Sequence, residues 1–169
     1  MRIRAVVRTD LERFKALRLD ALKSDPDAFG QTFEAASRES DEEWAEKLSR
    51  TFSEGDAIFV AEVDGEFIGM CGVGEDRTRR GYGFVWGVFV KKPYRKSGAG
   101  SRLMDAAEAW AVERGFGGVN GWVAAPNDEA INFYRRRGYE VGADFEPLRP
   151  GSDIPVHPIS KRFAPPPSN

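Results

Sequence analysis

A seven-residue segment with two glycines and two cations has the residue types needed to bind an anion. It reads Arg95-Lys96-Ser97-Gly98-Ala99-Gly100-Ser101 and lies between a run of β-forming residues and a helix-like pattern. Gly98 and Gly100 have no Cβ atom, so the oxygens of a ligand can approach the backbone closely. The N–H groups at the start of the following helix have no intrahelical partner, and the helix dipole adds positive potential there. Together with the charges of Arg95 and Lys96, they predict a site for a diphosphate.

Two other phosphate-binding motifs do not fit this segment. A P-loop requires Lys followed by Ser or Thr directly after its last glycine, and no such pair follows Gly100. A dinucleotide-binding fingerprint requires a third glycine at the position where this chain has Leu103. On these seven residues alone, an ordinary strand-to-helix turn with solvated cations remains an alternative.

A second set of residues follows about thirty positions further along the chain. It comprises Asn127, Ala130, Tyr134, Gly138 and Tyr139. Their spacing puts Ala130, Tyr134 and Gly138 on neighbouring turns of one helix face. The small Ala130 would let a ligand pack closely, and Tyr134 would present a hydroxyl beside it. Taken alone, this pattern favours a core tyrosine in an amphipathic helix.

The N-terminal half must supply strands and helices around these motifs. Alternation predicts a first strand in residues 3–7. Thr9-Asp10 can cap a first helix that ends near Asp25, and its periodic positions are Leu11, Phe14, Leu17, Arg18, Ala21 and Leu22. Ser40 with Glu43 forms a capping box for a second helix. Asp64-Gly65 predicts a hairpin turn between two β runs.

The C-terminal half continues with a strand that is apolar on both faces, residues 84–90, which indicates a central position in the sheet. A helix from Gly98 to a stop at Gly115, a strand at 119–124 and a helix at 127–138 follow, and final strands are predicted at 139–145 and 157–163. The predicted order is β-α-α-β-β-β-α-β-α-β-β, an α/β sandwich with a mixed sheet. We expect residues 1–163 to form a single domain and residues 164–169 to be a disordered tail.

Composition excludes several classes of function. The 169 residues are 41% hydrophobic and 31% charged, and the net charge of −2 gives no general attraction to nucleic acid or anionic membranes. Nothing approaches the roughly 20 apolar residues of a spanning helix, and we expect a cytoplasmic protein. One cysteine, Cys71, cannot form an internal disulfide, and one histidine, His157, does not favour a zinc site or a Cys-His pair. We therefore expect no metal.

The two motifs, taken together and in this order, resemble the GCN5-related N-acetyltransferase (GNAT) superfamily. Arg95-x-x-Gly98-x-Gly100 is similar to the Gln/Arg-x-x-Gly-x-Gly/Ala pattern of that family. The resemblance covers roughly residues 84–145, and residues 17–34 resemble a common bacterial branch. It implies an α/β fold with a mixed, mostly antiparallel central sheet of about seven strands flanked by about four helices.

The resemblance also implies that acetyl-CoA is the co-substrate. The amides of residues 95–101 would hold the pyrophosphate. The pantetheine arm would lie along residues 88–90 and enter a gap beside the strand at 119–124, with Asn127 bonded to it directly or through a water. The residues expected to bind the cofactor are Val88, Phe89, Val90, Arg95, Lys96, Ser97, Gly98, Ala99, Gly100, Ser101, Asn127, Ala130, Phe133 and Tyr134.

Acetyl transfer to an amine requires a neutral amine, stabilisation of the thioester oxygen and a proton for the departing thiolate. A backbone N–H of Phe89 or Val90 is the expected oxyanion donor, and Tyr134 is the expected general acid. No nucleophile of the protein is required. No base is assigned: Glu62, Glu75, Asp76 and solvent water all remain alternatives.

The acceptor cannot be identified from motifs. The resemblance implies that the first two helices shape the acceptor side, where Phe29, Phe33 and Trp86 are the expected substrate contacts. The predicted function is transfer of the acetyl group to a primary amine of a small molecule such as an amino acid, a polyamine or an antibiotic. The alternatives are acetylation of a peptide or protein amine and a non-catalytic acetyl-CoA-binding module. Symmetric dimers are common, so a homodimer is one expectation for the assembly.

Overall fold

A computed structural model describes residues 1–143 and 146–165. The sheet is built from eight strands: β1 (Arg2–Ala5), β2 (Ala57–Val63), β3 (Glu66–Glu75), β4 (Gly83–Val90), β5 (Gly118–Ala124), β6 (Glu140–Val141), β7 (Glu146–Pro147) and β8 (Pro155–Arg162). The α-helices are α1 (Leu11–Ser24), α2 (Phe33–Ser37), α3 (Asp41–Ser53), α4 (Ala99–Glu113) and α5 (Asp128–Arg136).

The sheet is mixed and mostly antiparallel, as predicted. Its strand order is β1-β2-β3-β4-β5-β8-β6, and β7 pairs with β8. Among the described strands, the β4–β5 pair alone is parallel. This pair places β4 in the interior of the sheet, which agrees with its apolar sequence.

Several element boundaries differ from the expectation. The first strand ends at Ala5 rather than residue 7. The additional short helix α2 starts at the N-cap Thr32, whose side chain accepts from the Ala35 N–H. The strand predicted at 139–145 corresponds to β6, Glu140–Val141, and residues 144 and 145 lie outside the described residues. The short β7 was not predicted.

Local sequence signals account for the turns that were predicted. The Ser40 hydroxyl accepts from the Glu43 N–H while the Glu43 carboxylate accepts from the Ser40 N–H, which is the expected capping box at α3. Asp64 and Gly65 join β2 to β3 with φ of 49° and 82°, the positive values that a tight hairpin turn requires.

Two hydrophobic layers cover the two faces of the sheet. Helices α1 and α3 pack on one face, where Leu17, Leu22 and Leu48 meet Val60 and Phe89. Helices α4 and α5 pack on the other face, and this layer contains Leu103, Met104, Val119, Ile131 and Tyr134. Adjacent residues of β2 contribute alternately to the two layers, as a doubly covered sheet requires.

A bulge and a short pairing distort β4 near its C-terminal end. The register of β3 against β4 runs from Gly72↔Trp86 to Met70↔Phe89, so β4 contains one extra residue in this interval. Gly87 lies in it with φ of 62°, a conformation that favours glycine. On its other edge, β4 pairs with β5 only at Gly83↔Val119 and Phe84↔Asn120. The two parallel strands therefore separate beyond residue 84.

Of the predicted tail, residues 164–169, the structure describes the first two residues. Ala164 and Pro165 have no regular secondary structure, and residues 166–169 lie outside the described residues. Within residues 1–143 and 146–165, no helix has the length and apolar content needed to cross a bilayer.

Candidate active site

A cleft of about 1160 Å³ adjoins the C-terminal half of β4. Its walls come from β4, the loop that leads into α4, the start of α5 and the segment after α1. Most of the residues expected in the site line it, namely Phe29, Val88, Phe89, Val90, Arg95, Lys96, Gly98, Gly100, Ser101, Asn127, Ala130 and Phe133. The two motifs that are separate in the sequence therefore meet at one cavity.

The separation of β4 from β5 forms one end of this cleft. Residues 88–90 and Ala124 both line it, and Ala124 pairs with Val156 of β8 on the opposite side of β5. Because β5 no longer pairs with β4 here, the backbone edge of residues 88–90 faces the gap. A chain-like ligand can use such an edge for hydrogen bonds in place of the missing strand.

The predicted anion-binding loop, residues 95–101, brings the N-terminus of α4 to the cleft. Gly98 is the N-cap, with φ of 86°, and a Cβ added there would meet no atom within 4 Å. A Cβ at Gly100 would lie 3.5 Å from the Phe133 ring, an ordinary contact. The Ala99 N–H approaches the Ser97 hydroxyl at 3.4 Å. The first N–H groups of α4 thus end at an open space suited to an anion.

Arg95 connects the anion-binding loop to the opposite wall. Its guanidinium forms an ion pair with Asp25, in the segment that follows α1. Its Nε also donates to the Val90 carbonyl at 3.0 Å. Both side chains are about one-third exposed or less, and the pair spans the cleft between its two walls. Asp25 was not predicted, because its charge has meaning only once the fold brings it to Arg95.

The start of α5 forms a further wall. Asn127 caps this helix, since its Oδ1 accepts from the Ala130 N–H at 3.0 Å. This bond uses one of the two lone pairs of the Asn127 oxygen, and the Asn127 amide nitrogen has no hydrogen-bond partner among the described residues. Ala130 and Phe133 line the cleft on the same side.

Tyr134 lies behind this wall. It is buried, and its ring makes edge-on contacts with Phe133 and Tyr139 at centroid distances of 5.3 and 5.5 Å. Burial, with a smaller contribution from Cys71, raises the pKa of Tyr134 above the usual value for a phenol. The phenol is consequently protonated over the whole neutral range, the state that a proton donor requires. Unlike Ala130 and Phe133, Tyr134 is not among the residues that line the cleft.

A network of paired charges supports α4 and α5. Arg137 donates to Asp105 at 2.7 Å and to Glu108 at 3.0 Å, and Lys161 donates to Glu108 at 2.7 Å. The Tyr139 hydroxyl also donates to Glu108, at 3.1 Å. Burial opposes the charge of Arg137, but the bonds to Asp105 and Glu108 carry its pKa above the usual value. These bonds fix the relative positions of the two helices that flank the cleft.

The acidic side chains considered as bases lie away from the cleft. Glu62 is paired with Arg4 at 2.9 Å and with Arg13 at 2.6 Å. Asp76 is buried, and it accepts from the Asn120 amide at 2.7 Å and the Thr78 hydroxyl at 2.7 Å. Glu75 ends β3 and does not line the cavity.

The residues expected to contact the acceptor separate into two groups. Phe29 lines the cleft, and its ring lies 6.4 Å from that of Phe89. Phe33 and Trp86 do not line the cleft. Trp86 instead lines a second cavity of about 140 Å³, on the side of the sheet covered by α1 and α3. Phe33 is half-buried, with Lys23 at 6.0 Å from its ring centroid.

Arg18 also lines the second cavity. Its position has a signal in the sequence, because it is a cation at an otherwise apolar position of α1, four residues from both Phe14 and Leu22. The sequence pattern predicts that Arg18 lies on this helix face but predicts no function for its charge.

Cys71 takes no part in either cavity. It is buried on β3, and burial raises the pKa of its thiol to about 12. A thiol in this state is a poor nucleophile, which agrees with a reaction that needs no nucleophile from the protein.

The sequence matches the model of the acetyltransferase (GNAT) family over residues 19–139. The chain is similar to the uncharacterized N-acetyltransferase YjcF of Bacillus subtilis, with 31% identity over 125 residues, 74% of this chain and 84% of that protein. It is also similar to the uncharacterized N-acetyltransferase MJ1207 of Methanocaldococcus jannaschii, with 34% identity over 89 residues, 50% of this chain and 39% of that protein. Streptothricin acetyltransferase A of Bacillus subtilis is 31% identical over 96 residues, 57% of this chain and 54% of that protein.

Solved structures share the fold over nearly the whole chain. The ribosomal-protein-alanine N-acetyltransferase of Brucella melitensis superposes with a TM-score of 0.80 at 21% identity, covering 96% of this chain and 100% of that one. The PaiA N-acetyltransferase of Thermoplasma acidophilum, solved in complex with coenzyme A, gives 0.74 at 20% identity, covering 96% and 98%. At these identities the likeness establishes the fold.

Proposed function

The chain belongs to the acetyltransferase (GNAT) family, and from this premise we propose that it transfers the acetyl group of acetyl-CoA directly to a primary amine of a small molecule. One observation carries the proposal: a single cleft joins the free helix N-terminus of α4 to the open edge of β4. The proposal treats residues 1–163 as one acetyltransferase domain.

The residues of the cleft fit acetyl-CoA. The open space at Gly98 and the first N–H groups of α4 suit its diphosphate, and Lys96 adds a positive charge. The exposed edge of residues 88–90 suits the amide groups of its pantetheine arm. The Asn127 amide nitrogen can donate to a pantetheine carbonyl, because it has no partner within the part of the chain that the structure describes. Ala130 and Phe133 form an apolar wall beside the proposed pantetheine site.

Bound acetyl-CoA supplies an activated acetyl group: a bond forms from the acceptor nitrogen to the acetyl carbon, the carbon–sulfur bond breaks, the amine loses one proton and the sulfur gains one. The backbone N–H of Phe89 or Val90 stabilises the charge that develops on the acetyl oxygen, since this strand edge is not paired with β5. Tyr134 is the proposed proton donor to the sulfur, which requires its hydroxyl to reach the cleft from its buried position behind Phe133. Its raised pKa keeps the phenol protonated at neutral pH.

No side chain is assigned as the base. An alkyl amine has a pKa near ~10, so a small neutral fraction is present at pH 7 to 8. Of the acids considered from the sequence, Glu62 is paired with Arg4 and Arg13, Asp76 accepts from Asn120, and neither these two nor Glu75 lines the cleft. The proposal therefore lets the amine enter in its neutral form and release its proton to water after attack.

A small-molecule acceptor is supported by the similarity to streptothricin acetyltransferase A. The single cysteine is unpaired and buried, and the proposal locates the enzyme in the cytoplasm, where thiols are kept reduced. A homodimer remains a prediction, which light scattering on the purified protein would test.

The test is an acetyl-transfer assay. Thiol release from acetyl-CoA is measured against a panel of small amines and peptides, and binding of coenzyme A is measured in parallel by calorimetry. Acceleration by small amines, with the acetylated product identified by mass spectrometry, is the expected result. Acceleration by peptides alone would favour the peptide alternative. Coenzyme A binding without transfer to any amine would leave the non-catalytic alternative.

A further inference from the structure

The second cavity contains a cation whose placement the cofactor site does not explain. Arg18 extends from the apolar face of α1, and its guanidinium lies 4.9 Å from the centroid of the Phe29 ring. Its Nη1 atom is buried and has no hydrogen-bond partner. A buried donor without a partner costs free energy, so a role in stability alone does not account for this arrangement.

The surroundings compensate the charge of Arg18 only in part, through Glu39, whose Oε2 atom is also buried without a hydrogen-bond partner. Burial lowers the pKa of Arg18 to about 10, and Glu39 opposes this only in part. Glu39 is itself paired with Lys47 and accepts from the Gln31 amide at 3.0 Å. Counting the three charges, Arg18 and Lys47 against Glu39, one positive charge is left over.

The lining of the cavity suits an anionic group. Gln31, Lys47 and Thr51 line it together with Arg18, and none of its lining residues is acidic. Apolar walls come from Phe14, Trp44 and Trp86, among others. A guanidinium in a largely apolar cavity presents a planar set of donors that matches a carboxylate.

The position of Arg18 links this cavity to the proposed reaction. A Cβ at Gly87 would lie 3.3 Å from the Arg18 Nη1, so the guanidinium reaches the backbone of the β4 bulge. Gly87 directly precedes residues 88–90, along which the pantetheine arm is proposed to lie. Phe29 lines the large cleft, and the Arg18 guanidinium lies over its ring. An anionic group at Arg18 would therefore be separated from the proposed cofactor cleft by the Phe29 ring and the β4 bulge.

We propose that Arg18 binds the carboxylate of the acceptor, and that the acceptor is an amino acid or a related small amino-carboxylate. This inference rests on the proposed acetyl transfer and narrows its acceptor class. The cavity of about 140 Å³ has room for a carboxylate and a short stem. Arg18 here is a specificity-determining residue.

The first experiment compares matched acceptors with the wild-type enzyme. L-Amino acids and their amides differ in the carboxylate and little in size. The α-amino group of an amino-acid amide has a pKa of ~8 and loses its proton more easily than that of the free amino acid. The amount of neutral amine therefore favours reaction of the amide. We expect kcat/KM to favour the amino acid by about 10- to 100-fold, as the loss of a hydrogen-bonded charge pair implies.

The second experiment removes the cation. Arg18→Met is expected to erase the preference for the acid, whereas Arg18→Lys is expected to keep part of it. Arg50→Met is the matched control, because Arg50 lies exposed on α3 and pairs only with Glu46 among the residues that the structure describes, at 3.5 Å. This control is expected to keep the full preference.

The outcomes separate the two proposals. If no amine accelerates thiol release, the proposed acetyl transfer fails. If amines are acetylated but the wild-type enzyme does not prefer the acid, or if Arg18→Met keeps the preference, the carboxylate site alone is wrong. A melting temperature that falls sharply in Arg18→Met would indicate a structural cation and would also overturn the inference, since removal of an unpaired buried charge is expected to hold or raise it.

Discussion

The large cleft and the small cavity adjoin the same strand, β4, but differ in how the arginine side chains around them are paired. Around the cleft, Arg137 is paired with Asp105 and Glu108, and Lys161 is paired with Glu108. Arg137 leaves its Nε without a partner but keeps these ion pairs, whereas Arg18 in the cavity has a buried, unpartnered Nη1 and forms no ion pair with any residue that the structure describes. The pKa of Arg137 is raised by its partners and that of Arg18 is lowered by burial. The first arginine supports the framework, and the second is free to serve a ligand.

The two regions also differ in the part of the chain that would recognise a ligand. The cleft offers mainly backbone groups, namely the N-terminus of α4 and the unpaired edge of β4. The cavity offers side chains from α1, α3 and β4. Backbone recognition suits a cofactor that does not vary, whereas a side-chain surface can change with the acceptor while the fold is retained.

The largest expected effect is that of Tyr134→Phe. We predict a fall in kcat of between about 10²- and 10⁴-fold, the usual contribution of a positioned proton donor, at a nearly constant KM for acetyl-CoA. The ring contacts with Phe133 and Tyr139 are preserved. Steady-state kinetics with a saturating amine provide the measurement. Because the pKa of Tyr134 is raised, kcat of the wild-type enzyme should not decline until the pH exceeds ~10, the usual value for tyrosine.

Tyr139→Phe is the matched control for this substitution. Tyr139 is also buried and packs against Tyr134, but its hydroxyl donates to Glu108 in the framework. Loss of this hydroxyl should lower the free energy of unfolding by that of one hydrogen bond, about 1 kcal/mol. The melting temperature should fall slightly, and kcat should stay unchanged. Equal kinetic effects of the two substitutions would mean that Tyr134 acts through packing.

The second prediction concerns the backbone of the anion-binding loop. Gly100→Val should weaken coenzyme A binding about 10- to 100-fold, because a side chain there fills the space over the α4 amides that the diphosphate needs. Gly100→Ala should show a smaller loss while the protein keeps or gains stability, since its Cβ meets Phe133 at an ordinary 3.5 Å and alanine favours helix. Calorimetric titration with coenzyme A measures both.

Gly117→Ala serves as the control, because its nearest neighbour would be the Gly81 carbonyl at 3.9 Å, away from the cleft. Gly98→Val is a poorer probe. Gly98 has φ of 86°, and valine would strain the backbone there in addition to blocking the ligand. Undiminished coenzyme A affinity in Gly100→Val would remove the assignment of this loop.

The third prediction compares the two arginines directly in chemical denaturation. Arg137→Met should lower the free energy of unfolding by about 2 kcal/mol, less than for a fully buried pair, because Asp105 is exposed and Glu108 keeps its bonds to Lys161 and Tyr139. Arg18→Met should leave that energy unchanged or raise it by up to about 1 kcal/mol, since the guanidinium is protonated below pH ~10 and its burial disfavours the charge. Losses of similar size would abolish the distinction between a framework cation and a ligand cation.

The parts of the site that were predictable from the sequence are those that depend on local chemistry. Gly98 at the N-cap of α4, the Ser40 capping box and the Asp64-Gly65 turn each follow from conformational rules that act over a few residues. The proposed cofactor site consists largely of such features. The resemblance to the GNAT family predicts that the two motifs lie at one site. It also predicts the mixed sheet and the gap between β4 and β5.

The unpredicted parts depend on contacts between distant residues. The Asp25–Arg95 ion pair joins positions seventy residues apart. Arg18 fits the apolar pattern of α1, and only its environment reveals an open donor. Phe33 and Trp86 were grouped with Phe29 because all three are aromatic, but side-chain direction sends Trp86 to the other cavity. Short elements such as α2 and β7 carry too few residues for a periodic signal.

The smallest expected effect comes from the contact that joins the two regions. Asp25 lies in the segment between α1 and α2 and pairs with Arg95 of the predicted anion-binding loop. Asp25→Asn removes a negative charge from the cleft and releases Arg95, which stays bonded to the Val90 carbonyl. Since partly exposed ion pairs contribute up to about 1 kcal/mol, coenzyme A affinity should rise about 2- to 5-fold, and the gain should shrink as salt is added. A weaker affinity would mean instead that Asp25 orients Arg95 for the diphosphate, and the acceptor-side segment would then form part of the cofactor site.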